Sequence, residues 1–187
     1  MVGILVTPRT RRETLRKAAL EGTPLPLRLA KTLSGSDLMR ILTEHVHEAY
    51  GDELAELLLS SPGADERLVE AALKYYPKSP GVKNAAALCS GASEQQLRRL
   101  ARSSHNSVRR HARLSLLSSS LDGGSERTFK QAVKRARRAQ DPSAELYIIV
   151  VHPDVPQVVL EEVAADDTDF LRDEARRRLA RRRPDRR

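Results

Sequence analysis

Ser90–Leu116 (SGASEQQLRRLARSSHNSVRRHARLSL) and Pro153–Leu179 (PDVPQVVLEEVAADDTDFLRDEARRRL) align without a gap at an offset of 63 residues. Identities fall at Leu97/Leu160, Ala101/Ala164, Arg109/Arg172, Ala112/Ala175, Arg113/Arg176 and Leu116/Leu179, with Val108/Leu171 a conservative match. Four of the six identities lie on helical core positions. Pro62–Ala72 aligns in turn with Gly91–Ala101 at an offset of 29 residues, keeping Leu68/Leu97 and Ala72/Ala101. The longer offset is then two units of roughly 30 residues, and repeats of that period with two helices each predict a helical solenoid.

Outward from these copies the apolar spacing stays helical. Leu15, Ala18 and Ala19 recur at three and four residues, as do Leu97, Leu100 and Ala101, then Phe129, Ala132, Val133 and Ala136, then Leu171, Ala175 and Leu179. Each set makes one buried stripe. Leu146–Val151 carries the β-branched run Ile148, Ile149, Val150 and Val151, but it is short and has no hairpin partner, so it reads as a buried helix. Thr23-Pro24, Ser79-Pro80 and Asp141-Pro142 place a capping side chain before a proline at the first helical position. Thr10…Glu13 and Ser93…Gln96 have capping-box spacing. These signals predict about twelve helices, at 10–21, 24–33, 36–49, 52–60, 65–76, 80–89, 93–103, 106–118, 125–139, 142–151, 156–165 and 168–182. Ser115 and Ser118–Ser120, ahead of Asp122-Gly123-Gly124, read as a flexible joint. Short connections pair the helices into hairpins. The expected fold is all-α, an α–α superhelix of about six helical hairpins in one domain over 1–187, with divergent helices at 1–60, recognisable repeats at 61–180 and a frayed basic tail at 181–187.

His152-Pro153-Asp154-Val155-Pro156, then Leu160, Val163-Ala164, Asp166, Leu171-Arg172 and Ala175, resembles one unit of the leucine-rich-repeat-variant and HEAT-like helical repeats. Those families share a proline-started first helix, an acidic turn, and a second helix opening with an apolar residue and arginine. Ser90–Leu116 looks similar, with its turn degraded to Ser103-Ser104-His105-Asn106. The resemblance implies a stacked superhelix with a concave face and no particular activity. HEAT-like alkylpurine DNA glycosylases share the architecture, but their active site pairs tryptophan with an acid. This chain has no Trp, so nothing catalytic carries over.

Composition narrows the function. The 187 residues hold 33 Lys+Arg against 25 Asp+Glu, a net charge of +8, with aromatics at only 3%. The lone Cys89 excludes an internal disulfide and a cysteine-ligated iron–sulfur cluster from this chain alone, and its place beside Ala85–Leu88 marks it as a small buried hydrophobe. No run approaches the roughly 18 apolar residues of a membrane-spanning helix, and no export signal precedes the basic Arg9, Arg11 and Arg12, so the chain reads as cytoplasmic with no membrane partner. His45 and His47 are two apart and do not share a helix face, so no metal site and no cofactor is expected. No phosphate-binding glycine loop, nucleophile elbow or paired CxxC is present.

The charge is uneven. Residues 1–92 carry a net of +1 and residues 93–187 a net of +7, while 98–138 alone hold 12 basic residues against Asp122 and Glu126, a net of +10. Arg98 and Arg102, and Arg109 and Arg113, are one helical turn apart, with Arg110 alongside. Lys130, Lys134, Arg137 and Arg138 form a stripe at i, i+4, i+7 and i+8. Opposite faces of these helices are apolar, so the cations point outward. Such residues are candidates for holding a DNA or RNA backbone, because each neutralised phosphate releases counterions. Scarce aromatics weigh against single-strand recognition by base stacking and favour backbone contact with little sequence readout. The alternative readings are an adaptor that docks an acidic protein surface and, more remotely, a glycosylase-type enzyme using Tyr76 or Tyr147 beside a carboxylate.

Overall fold

Capping side chains and buried stripes set the helix boundaries. The computed structural model describes residues 8–21, 33–139, 142–166 and 171–182. Among them are eleven α-helices and no strand: α1 Pro8–Glu21, α2 Gly35–Glu44, α3 Gly51–Leu59, α4 Glu66–Tyr75, α5 Pro80–Leu88, α6 Glu94–Leu100, α7 Asn106–Leu121, α8 Glu126–Ala136, α9 Pro142–Val151, α10 Gln157–Ala165 and α11 Arg172–Arg182. The expected helix at 24–33, with its Thr23-Pro24 start, falls almost wholly outside the described residues. So does Asp141 ahead of Pro142.

Ser79 accepts a hydrogen bond from the Val82 amide, with Pro80 opening α5. Ser93 and Gln96 form a reciprocal capping box on α6. Ser34 and Asp37 form a second one on α2, and Asp65 and Ser125 cap α4 and α8. Each cap is worth about 1 kcal/mol by satisfying an otherwise orphaned amide. Three expectations are corrected. Thr10 lies inside α1, which already begins at Pro8. The helix expected over 36–49 stops at Glu44, where the His45 amide bonds to the Leu42 carbonyl and turns follow. The serines expected as a joint are helical: α7 runs through Ser118–Ser120 to Leu121, whose side chain is fully buried.

The chain divides into two compact units, Met1–Arg113 and Leu114–Arg187, with the boundary inside α7. In the first unit α3 packs on α1, α2, α4 and α5, α2 packs on α4, α4 on α5, and α5 on α6. Leu38, Leu54, Leu58, Leu68, Val82 and Val108 are fully buried there. In the second unit α8 packs on α9 and α10, and α10 on α11, around Phe129, Ile149, Val159, Leu160 and Ala175. The β-branched run is helix α9, burying Leu146, Ile149 and Val150 at helical spacing and leaving Tyr147 exposed. In both units, the recorded packing joins helices that are mostly neighbours, or next but one, in the chain.

Side-chain hydrogen bonds that leave their own turn span 23–31 residues, and six of them cluster at the upper end. Tyr76 reaches back to Val46, Gln96 to Glu66, Arg99 to Glu70, His152 to Asp122, Gly123 forward to Asp154 and Arg137 to Asp166. All six span 29–31 residues, the period of the sequence repeat. Aligned positions share burial as well: Leu97 and Leu160, Val108 and Leu171, and Ala112 and Ala175 are all buried.

Candidate nucleic-acid interface

The cations singled out by sequence fall into two classes. In the first unit Arg98 pairs with Glu94 at 2.6 Å along α6, with both side chains exposed. Arg102 is not one turn further along that helix. α6 ends at Leu100, and three-residue bonds from Arg102 to Arg99 and from Ser103 to Leu100 tighten the chain into a turn that holds Arg102. Arg109 is half-buried and already engaged. Its Nη1 donates to the Ser103 and Ser104 carbonyls at 2.9 and 3.0 Å, and its Nη2 donates to Asn106 Oδ1 at 3.1 Å. It clamps the α6–α7 connection and does not face solvent as a free phosphate ligand. Arg110 and Arg113 are exposed on α7. Arg102 and Arg113 make no ion pair among the described residues.

In the second unit Lys130 pairs with Glu126 at 2.6 Å, and that carboxylate holds its ammonium pKa above the usual value. Arg137 leaves the expected stripe because α8 ends at Ala136. Its guanidinium turns to Glu162 at 3.6 Å and Asp166 at 3.1 Å on the α10 side. Lys134 and Arg138 are exposed and form no ion pair among the described residues. Arginines clamp turns here too. Arg178 donates to the His152 carbonyl, and Arg182 donates to Val155 at 2.6 Å and to Pro153 at 3.0 Å. Arg181 and Arg182 thus belong to α11, while the rest of the expected tail lies outside the described residues.

Two adjoining grooves in the first unit, of about 740 and 470 Å³, share Glu70, Arg99 and Arg102 as lining. The larger adds Arg98 and Glu94. The smaller adds Lys74, Lys83, Ser103 and Ser104 around Leu73, Pro77 and Leu100. Lys74 and Lys83 lie in the nearly neutral half of the chain, where a count of charge by sequence window does not single them out.

Asp122, His152 and Asp154 bring three potential ligand atoms within 4.8 Å of one another, a cluster that sequence spacing does not disclose. His152 is buried and stands edge-on to Phe129, with ring centres 5.5 Å apart. Its Nδ1 accepts from the Asp154 amide at 3.2 Å, so the proton sits on Nε2, which donates to Asp122 Oδ1 at 3.1 Å. Asp154 Oδ2 accepts from the amide of Gly123, the one described glycine at positive φ (63°). A metal-bound imidazole donates from its second nitrogen, whereas this one accepts there. The geometry is that of a neutral imidazole fastening two turns. His45 Nδ1 is 3.0 Å from the Tyr50 hydroxyl in the core, and His111 Nδ1 is 3.3 Å from Asn84 Oδ1.

Tyr76 is half-buried and its hydroxyl donates to the Val46 carbonyl at 3.2 Å, which ties the end of α4 to the turns after α2. Burial first, then the nearby Asp52 and Glu53, raises its pKa. Cys89 is buried at the end of α5, and burial likewise raises its thiol pKa. No helix among the described residues is long and apolar enough to cross a membrane. No protein-family model, curated protein or solved structure matches the chain.

Proposed function

We propose that this protein is a non-enzymatic helical-repeat scaffold, a solenoid of stacked hairpins, that binds the sugar-phosphate backbone of duplex nucleic acid. The solenoid reading is supported by side-chain bonds spaced 29–31 residues apart, the period of the sequence repeat. The binding reading is carried by one observation: after the turn clamps and ion pairs are subtracted, exposed cations without an acidic partner among the described residues remain in each unit. Among the residues singled out by sequence these are Arg102 and Arg113 in the first, and Lys134 and Arg138 in the second. Arg98, Arg99 and Lys130 add to them, because surface pairs of the kind they make are worth under about 1 kcal/mol and exchange readily for phosphate. Backbone contact needs no aromatic platform, which suits a chain with 3% aromatics.

The test is binding of a fluorescent duplex of mixed sequence across a salt series. Affinity should fall steeply with salt, with a log–log slope near −0.9 per phosphate contact. Charge reversal of Arg102, Arg113, Lys134 and Arg138 together should flatten that slope. Affinity that barely changes with salt, or a reversed variant that binds like the parent, would refute the proposal.

A further inference from the structure

The smaller groove of the first unit draws its polar lining from three places. Lys74 comes from the last turn of α4, Lys83 from the first turn of α5, and Arg99 and Arg102 from the end of α6 and the turn beyond. Four cations face one carboxylate, Glu70, which already holds Arg99 at 3.3 Å. Lys74, Lys83 and Arg102 have no ion-pair partner among the described residues, so their charges repel one another across the groove. Lys83 is half-buried, which anchors its stem and limits where its ammonium can go. The Arg109 clamp fixes the turn bearing Ser103 and Ser104 by its carbonyls. Between the cations lie the side chains of Leu73, Pro77 and Leu100, and no aromatic ring lines the groove.

Cations around an apolar floor, without a stacking ring, match a sugar-phosphate strand: phosphates to the ammonium and guanidinium groups, sugars to the floor. Resting on the proposed function, we infer that this groove is where duplex backbone is gripped in the first unit, with Lys74 and Lys83 as phosphate-binding residues outside the basic band of the sequence. Arg109 acts as a positioning residue that holds the groove's edge.

Anisotropy of a labelled duplex of about 20 base pairs, titrated with the full chain at several salt concentrations, tests this. Lys74→Gln/Lys83→Gln should weaken binding roughly tenfold or more at about 0.1 M salt and reduce the log–log slope by about two, one for each phosphate left without its lysine. Lys74→Arg/Lys83→Arg should retain both, which separates removal of charge from failure to fold. Lys78→Gln removes a nearby charge that does not line the groove and should change affinity less than about twofold. If the parent binds duplex but the double glutamine variant binds equally well, or if Lys78→Gln is as damaging, the groove assignment falls while the proposed function stands. If the parent binds no duplex at any salt, both fall together.

Discussion

At the residue scale, the informative side chains are those whose environment disagrees with their type. Glu56 is half-buried, and its pKa is raised by burial first and then by Asp52 and Glu53. A raised pKa in the folded state means that the fold prefers the protonated acid. The stability this preference confers is complete below the ordinary carboxyl range and is lost as pH rises through the folded pKa. Glu56→Gln mimics the protonated form. Its melting temperature should exceed the parent's at neutral pH, and the two should converge near about pH 4. A neutral-pH melt that is lower than the parent's would show that the carboxylate makes a favourable contact instead. Cys89 is the complementary case: it is legible from sequence as a buried hydrophobe, because small apolar neighbours surround it at a helix end. With the residue 7% exposed and its thiol pKa raised, maleimide should label it only as the protein unfolds.

At the scale of elements, the apolar stripes were legible because burial follows the 3.6-residue period. Every residue of the stripes beginning at Leu15, Leu97, Phe129 and Leu171 is buried or half-buried. The serine segment misled for a related reason. Ser118–Ser120 are weak helix formers with no stripe of their own, yet the buried Leu121 beyond them carries α7 forward, and Ser120 bonds to the Leu117 carbonyl. Close approach between turns was not legible at all. A Cβ on Gly91 would collide with the Ala64 carbonyl oxygen and lie 2.7 Å from the Asp65 Cα, both backbone atoms. Gly91→Ala must therefore push the starts of α4 and α6 apart, at a cost on the order of 1–3 kcal/mol. Denaturant midpoints would measure it, and a neutral result would mean that the two turns separate freely.

Across the whole molecule, a net charge of +8 hides two populations with different duties. Sequence located the basic band but could not sort it, because a cation's partner is set either by the path of the turn beside it, as for Arg109, or by a carboxylate 25–29 residues away, as for Arg99 and Arg137, and neither follows from a helical-wheel argument. Arg109 and Arg137 are bound to turn carbonyls and to carboxylates, whereas Arg113 and Lys134 face solvent. Arg109→Gln and Arg137→Gln should lower thermal stability, the former by about 1–2 kcal/mol for its charge-assisted bonds. Arg113→Gln and Lys134→Gln should leave the melt within about 0.5 kcal/mol and weaken duplex binding. Parallel melts and anisotropy titrations on the four variants would show the division, and equal effects on both readouts would erase it.

The spacing of the bonds between turns also bears on how this chain can change length. Tyr76 to Val46, Gln96 to Glu66 and His152 to Asp122 each bridge 30 residues. One residue added or removed inside a helix between such partners changes the separation of the pairs that span it and turns the rest of that helix's buried stripe by about 100°. If the proposed solenoid holds, adding or removing a whole unit of about 30 residues preserves each kind of contact. On the proposed solenoid reading, length is quantised: growth and loss are tolerated by the repeat and resisted by the residue.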